Sequence, residues 1–291
     1  MGCPGSNTLS QWNLLVDVKK CVGCYNCFLA CKDEHIGNNH EGYSRPQPSH
    51  GHQWIDIDVV ERGQAPMIDL TYVPKMCNHC DNAPCMKVGG DAVEKRSDGI
   101  VIINPEKAEG RKDIVEACPY GAIFWNEEEQ IPQSWYFDAH LLDRGWKEPR
   151  CVQSCATGAL TSHKISDKEM SKMAAQEKLT VLKPELGTKP RVYYKNLALV
   201  ESCFIGGSLV RENECVKDCA KGVTVKLRQD ARVLACEETD AFGEFKFDGL
   251  PPNGGDYEIE FLVEGKIHNV MSVVLREDSI NLGTVDLVLT S

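Results

Sequence analysis

The chain has 291 residues, of which 42% are hydrophobic and 26% are charged, and its formal net charge is −11. This length is at the upper limit for a single hydrophobic core and predicts two domains, while the acidic balance disfavours binding to nucleic acid. The sequence has no run approaching the roughly 18 apolar residues that span a bilayer, and residues 1–11 lack a signal-peptide pattern. We therefore expect no direct membrane insertion and a cytoplasmic location, with export beside a signal-bearing partner as the alternative.

The elements predicted before Pro184 are short. An apolar run at 12–18 predicts a strand, and the three- and four-residue spacing of apolar residues over 27–35 predicts a helix. The other predicted elements are a surface loop at 37–49, a strand at 53–60, a strand framed by Pro66 and Pro74, a hairpin turn with a buried strand at 97–104, and a helix at 166–180.

After Pro184 the composition changes, and residues 190–194 are predicted to be an extended connector, with a domain boundary near residue 197. Alternation of apolar and polar residues predicts strands at 223–227, 244–247, 257–263 and 284–289. We therefore predict an α+β protein in which residues 1–197 form one domain and residues 198–291 form a small antiparallel β-sandwich.

Fifteen cysteines in a long chain without a signal sequence indicate metal binding rather than a disulfide scaffold. The first group is Cys21-x2-Cys24-x2-Cys27-x3-Cys31. With this spacing a loop holds one iron-sulfur cube and sends its fourth cysteine to a different cluster. Tetrahedral zinc is the alternative, but it fits these gaps poorly.

The second group, Cys77-x2-Cys80-x4-Cys85, lacks a fourth cysteine, because Gly89 follows at the expected gap. Cys118, which precedes a proline, resembles the end of a ferredoxin motif. The positions where that motif would begin, residues 108, 111 and 114, are alanine, arginine and isoleucine. One cluster of the complete pattern is therefore predicted to be absent.

The last group is Cys151-x3-Cys155, preceded by Trp135 and Asp138 where a cysteine pair would be expected. Pseudo-twofold pairing of the groups predicts two sets of 4Fe-4S ligands, namely Cys21, Cys24, Cys27 and Cys155 for the first cluster, and Cys77, Cys80, Cys85 and Cys118 for the second. Cys31, Cys151 and Asp138 remain as the candidate ligands of a third cluster. A filled pocket with two buried free thiols is the alternative.

These groups resemble the small subunits of molybdopterin oxidoreductases of the dimethyl sulfoxide reductase type. More narrowly, the chain is similar to the transhydroxylase and resorcinol hydroxylase group of that family. The likeness lies in Cys21-Val-Gly-Cys-Tyr-Asn-Cys27, Cys118-Pro-Tyr-Gly121, Trp125-Asn-Glu-Glu-Glu129, Ala139-His-Leu-Leu142, the segment 183–196 and the segment 240–248.

The resemblance implies a four-cluster-type double ferredoxin fold over roughly residues 12–195, followed by a transthyretin- or immunoglobulin-like sandwich. It also implies a heterodimer with a large catalytic subunit that carries a bis-guanine-dinucleotide molybdopterin. In that complex this chain would relay single electrons for the hydroxylation, transhydroxylation or dehydroxylation of a polyhydroxylated aromatic compound in anaerobic metabolism. The transhydroxylase subunit is expected to hold three clusters, with cysteines at the positions of Trp135 and Asp138, and this chain departs from it there.

The chain shows no residue grouping for independent catalysis, so we expect no catalytic centre of its own. Two alternatives stay open at this point. The protein could be a stand-alone ferredoxin-type carrier, or the small subunit of another molybdopterin oxidoreductase with a non-aromatic substrate.

Overall fold

A computed structural model describes residues 9–213 and 216–287, and these residues divide into two compact units. The first unit comprises the chain up to Val59 together with Tyr72–Leu197, and the second comprises Val60–Thr71 together with the chain from Ala198 onward. None of the helices in these described ranges has both the length and the apolar character needed to span a lipid bilayer.

The strands are β1 (Gln11–Asp17), β2 (Ile55–Gln64), β3 (Met67–Met76), β4 (Val93–Lys95), β5 (Val101–Ile103), β6 (Phe124–Asn126), β7 (Ile131–Gln133), β8 (Leu160–Ile165), β9 (Val192–Lys195), β10 (Cys203–Asn213), β11 (Val216–Cys219), β12 (Thr224–Gln229), β13 (Arg232–Glu238), β14 (Glu244–Leu250), β15 (Gly255–Val263), β16 (Lys266–Leu275) and β17 (Ile280–Leu287). The α-helices are α1 (Asn26–His35), α2 (Pro84–Gly89), α3 (Asp113–Glu116), α4 (Ala139–Leu142), α5 (Arg150–Gln153) and α6 (Asp167–Glu177).

The first unit contains a three-stranded sheet with β1 in its centre. Strand β8 pairs with β1 antiparallel, and β9 pairs with it in parallel, with Val192 opposite Leu14. Leu14 and Val16 are fully buried, as expected for an apolar run in a central strand. The strand predicted at 12–18 is confirmed. The connector predicted at 190–194 is corrected in part, because from Val192 onward it is a strand of this sheet.

The helix predicted at 27–35 is confirmed as α1, and the hairpin predicted at 97–104 is confirmed as β4 paired with β5. The strand between the two prolines runs on through Pro74 to Met76, so Pro74 does not end it. Helix α6 begins with a capping box between Ser166 and Glu169 and ends at Glu177, earlier than the predicted residue 180.

The second unit consists mainly of two four-stranded sheets around one apolar core. One sheet has the order β13-β12-β15-β16, and in the other β10 pairs with β11, β14 and β17. Phe247, Tyr257, Ile259 and Phe261 are among the side chains buried in the common core. The predicted alternation is visible in β14, whose residues change between exposed and buried along the strand.

Three of the predicted strands in this unit are confirmed as β12, β14 and β15, and the fourth as β17 up to Leu287, since residues 288 and 289 lie outside the described ranges. Four strands were not predicted, namely β10, β11, β13 and β16. Strand β13 is almost wholly exposed and so lacks a period-two pattern. The prediction of a purely antiparallel sandwich was wrong in one detail, because β17 pairs with β10 in parallel. Strand β17 reaches this pairing from β16 in the other sheet rather than through a hairpin.

Candidate metal centres

The first four predicted cluster ligands converge although two distant segments supply them. Cys21, Cys24 and Cys27 lie where β1 leads into α1, and Cys155 follows α5. Burial raises the pKa of Cys27 to about 12, and the nearby thiols of Cys21 and Cys155 add to the rise. The structure therefore brings residue 155 to the trio. Cys24 is exposed, so this first cysteine group lies at the protein surface.

The local backbone explains how the first loop turns so tightly. Gly23 has a φ of 65°, a conformation that glycine adopts without steric cost. A Cβ atom at this position would also collide with the ring of Tyr72. Opposite this loop, the Sγ atom of Cys155 accepts a hydrogen bond of 3.4 Å from the backbone N–H of Leu160. N–H groups aimed at sulfur stabilise its thiolate form.

The second set converges around a small cavity, which is lined by Cys77, Cys80, Cys85 and Cys118 together with apolar neighbours. Burial raises the pKa of Cys85 to about 12 and that of Cys80 to about 11, and Cys118 adds to both shifts. Thiols with these pKa values are protonated near neutral pH, so they would bind iron with release of protons.

His79 also lines this cavity and is 2% exposed. Its Nδ1 atom accepts a hydrogen bond of 3.1 Å from the backbone N–H of Val101. Its Nε2 atom therefore carries the proton, and this atom has no hydrogen-bond partner among the described residues. Burial lowers the pKa of His79 to about 3, so the ring is neutral. A buried donor without a partner beside four thiols is consistent with an acceptor sulfide in the cavity.

The two cysteines that complete the sets occupy equivalent turns. Cys118 and Cys155 each accept a backbone hydrogen bond, of 3.1 and 3.2 Å, from the glycine three residues later. Those glycines, Gly121 and Gly158, have φ angles of 64° and 63°. A single helical turn precedes each cysteine, α3 in one case and α5 in the other. This repetition agrees with the pseudo-twofold pairing predicted from the sequence.

The candidate ligands of the third cluster are also brought together, but in a different environment. Cys31 and Cys151 are buried, and the carboxylate of Asp138 lies near enough to contribute to the raised pKa of both thiols, after burial itself. Trp135 is fully buried, and its indole N–H donates a hydrogen bond to Asp138. Sequence reasoning missed the side chains of Glu34, His40 and His140, whose ligand-type atoms lie within 4.8 Å of one another. No spacing in the sequence relates residues 34 and 140, so only the tertiary structure reveals this grouping.

The donor chemistry of the sets decides which of them fits an iron-sulfur cluster. Each of the first two sets offers four sulfur atoms, the soft ligands that 4Fe-4S clusters require. The third offers two thiols and one carboxylate, and that carboxylate already accepts three hydrogen bonds. The first two sets therefore fit a 4Fe-4S cluster, and the third does not.

Comparison with known proteins agrees with this donor chemistry. Residues 68–165 match the family of 4Fe-4S dicluster domains. The chain is 42% identical to the pyrogallol hydroxytransferase small subunit of Pelobacter acidigallici over 282 residues, which cover 96% of this chain and 100% of that protein. Because so little of the chain falls outside this alignment, the likeness extends into the second unit.

Other relatives match a smaller part of the chain. A tetrathionate reductase subunit of Salmonella typhimurium is 34% identical over 64% of this chain and 73% of its own length. The arsenate respiratory reductase iron-sulfur subunit of a Shewanella species is 28% identical over 62% of this chain and 94% of its own length. The protein therefore belongs to the family of iron-sulfur small subunits of molybdopterin oxidoreductases of the dimethyl sulfoxide reductase type.

Proposed function

We propose that this chain relays single electrons through two 4Fe-4S clusters, one held by Cys21, Cys24, Cys27 and Cys155 and the other by Cys77, Cys80, Cys85 and Cys118. The observation that carries this proposal is the meeting of each lone cysteine with its distant trio. When bound, such a cluster supplies reversible one-electron oxidation and reduction.

The protein's own residues would set the environment of each cluster. Apolar side chains such as Val101 and Ile123 line the second cavity and exclude water from it. The first cysteine group is more open, and Val22, Tyr25 and Leu29 are exposed around it. Solvent exposure and hydrogen bonds to sulfur tune cluster potentials. The difference in exposure therefore supports different potentials at the two sites, with electron exchange to a partner at the exposed one.

The partner in this proposal is a large catalytic subunit with a bis-guanine-dinucleotide molybdopterin, acting on a polyhydroxylated aromatic compound. The support is the 42% identity to a pyrogallol hydroxytransferase small subunit over nearly the whole chain. The names of other relatives specify tetrathionate and arsenate. A non-aromatic substrate is therefore the second candidate, although those relatives cover less of this chain.

We also propose that the domains are residues 1–197 and 198–291. The division of the chain after Leu197 supports this boundary, and Val60–Thr71, which groups with the second unit, is the exception. Limited proteolysis of the full chain tests it, because cleavage should concentrate near residues 197–202. Early cleavage within the strands of either unit would contradict the boundary.

The function is tested by anaerobic purification of the chain with its natural partners, followed by native mass spectrometry and analysis of iron and acid-labile sulfide. We expect a complex with one large molybdenum-containing subunit and about eight iron atoms on this chain. Near-zero iron would contradict the relay, and a chain that always runs alone would favour a free ferredoxin-type carrier. Activity of the complex on pyrogallol, compared with tetrathionate and arsenate, separates the two substrate classes.

A further inference from the structure

The loop from Trp135 to Asp138 has the backbone of a cluster-binding loop without its sulfur ligands. In Cys21-x-x-Cys24 and Cys77-x-x-Cys80, the third residue has a left-handed conformation, with φ of 65° at Gly23 and 46° at His79. Phe137, the third residue of the 135–138 loop, has a φ of 59°. A bulky residue rarely adopts this conformation, so the surrounding structure must impose it.

The side chains at the two ends of this loop fill the space where ligands would point. Trp135 is fully buried and stacks on Phe137, with ring centroids 4.9 Å apart and planes inclined by 28°. The ring of His79 packs against the same indole at 5.5 Å. These packed aromatic rings therefore occupy the space beside the loop.

The carboxylate of Asp138, which is 1% exposed, accepts three hydrogen bonds from protein groups. Its Oδ1 atom accepts hydrogen bonds of 3.2 Å from Trp135 Nε1 and 3.2 Å from His35 Nε2. Its Oδ2 atom accepts one of 2.8 Å from the backbone N–H of Arg150. Iron that displaced these hydrogen bonds would leave buried donors without acceptors, which opposes its binding to this carboxylate.

A second set of hydrogen bonds connects the 135–138 loop and its neighbours to helix α1. The hydroxyl of Tyr136 donates to Nδ1 of His140 at 3.0 Å, and Nε2 of His140 donates to Glu34 at 3.0 Å. The guanidinium of Arg150 donates to the other oxygen of Glu34 at 2.5 Å. The grouping of Glu34 and His140 is thereby explained as a mutually satisfied network that holds α1 against α5.

From this geometry we infer that residues 135–138 form a plug that closes a third cluster position, so that Cys31 and Cys151 remain free thiols and the relay has two clusters. The inference rests on the proposed function, because it concerns the number of clusters in that relay. Among the residues that the structure describes, the thiols of Cys31 and Cys151 lie near Asp138, and this carboxylate already accepts three hydrogen bonds, whereas each of the other two sites offers four thiols.

The test compares three forms of the full chain by iron and sulfide analysis, native mass spectrometry and electron paramagnetic resonance. The wild-type chain should bind about eight iron atoms. The double substitution Trp135→Cys with Asp138→Cys should raise this value about 1.5-fold and add a third cluster signal, because Cys31 and Cys151 would complete a four-thiolate set. The control Trp135→Phe with Asp138→Asn supplies no sulfur and should keep the wild-type iron content.

Each outcome has a distinct meaning. About twelve iron atoms in the wild-type chain would overturn the plug while leaving the relay intact, and near-zero iron would overturn the relay itself. A folded cysteine variant without additional iron would overturn the assignment of a ligand-type backbone. If that variant fails to fold, Cys31→Ala with Cys151→Ala decides the matter. This variant should retain the full iron content, and loss of about a third of the iron would refute the plug.

Discussion

The two units of the molecule are built in different ways. The second unit consists of strands such as β14 and β15, whose buried side chains, Phe245, Phe247 and Phe261 among them, meet in one apolar core. The first unit has helices as short as the four residues of α3 and α5, which position cysteines. We therefore expect burial of apolar surface to stabilise the second unit, and the proposed clusters to contribute to the stability of the first.

The largest predicted effect is loss of a cluster ligand. Cys118→Ala should remove about four iron atoms per chain and destabilise the first unit, because metal binding and folding are coupled. The second unit should keep its β-sheet signal and its unfolding temperature. Iron analysis and thermal unfolding followed by circular dichroism measure both effects. The control is Cys219→Ala, which replaces an exposed thiol and should change neither. If Cys118→Ala lowered the stability of both units equally, the contrast between the two units would be refuted.

Truncation of the apolar core should produce the reverse pattern. Phe261 is fully buried, and Phe261→Ala should lower the free energy of unfolding of the second unit by about 3–5 kcal/mol. The iron content should not change. Phe242→Ala is the matched control, because that ring is 70% exposed. Denaturant unfolding with iron analysis checks the prediction, and iron loss in the Phe261 variant would show that the units are not independent.

A smaller loss of stability is expected when Arg62, the buried cation of the second unit, is replaced. Arg62 donates to both carboxylate oxygens of Asp248, at 2.8 and 3.3 Å, and also to Asp69. Arg62→Met should lower the free energy of unfolding by about 1–3 kcal/mol at neutral pH. Lys217→Met, which breaks an exposed pair with Asp286, should change stability much less, because solvent screens that pair. Urea unfolding of both variants makes the comparison, and equal losses would contradict it.

The contribution of this pair should depend on pH. Burial is the largest single effect on Asp248 and opposes its ionisation, but the hydrogen bonds from Arg62 and the Gly249 backbone, together with the charges of Arg62 and Lys246, outweigh it and lower the pKa of this carboxyl. A lowered pKa means that the stabilisation is fully present above the unfolded value of about 3.9 and is lost as pH falls through the folded value. Unfolding curves between pH 2 and 7 should therefore converge for wild type and Arg62→Met at low pH. If the difference in unfolding free energy between wild type and Arg62→Met did not change with pH, the role assigned to Asp248 would be contradicted.

The smallest predicted effect concerns a helix that carries no cysteine. In α6, the side chain of Ser166 accepts a hydrogen bond from Glu169 N at 3.3 Å, and Glu169 accepts one from Ser166 N at 2.9 Å. Ser166→Ala should cost the first unit about 1 kcal/mol of stability without loss of iron. Ser171→Ala, in the exposed part of the same helix, is the control and should cost less. If the Ser166 variant lost iron, helix α6 would contribute to cluster binding, contrary to this prediction.

The sequence by itself predicted the 4Fe-4S family of the first unit and much of the second unit. Cysteine gaps of two to four residues act locally, so the trios at 21–27 and 77–85 can be read directly from the chain. Period-two alternation likewise reveals β12, β14 and β15, because each has one face in the core. The exposed strand β13 could not be predicted in this way, since neither of its faces is buried.

Only the tertiary structure shows the surroundings of Cys31, Cys151 and Asp138. The sequence shows that Trp135 and Asp138 are not cysteines, but it leaves both an empty site and an oxygen-ligated cluster open. The hydrogen bonds of Asp138 come from residues 35, 135 and 150, which lie far apart in the chain or in different elements. The set of donors around a buried carboxylate is a property of its three-dimensional surroundings, and no local sequence pattern records it.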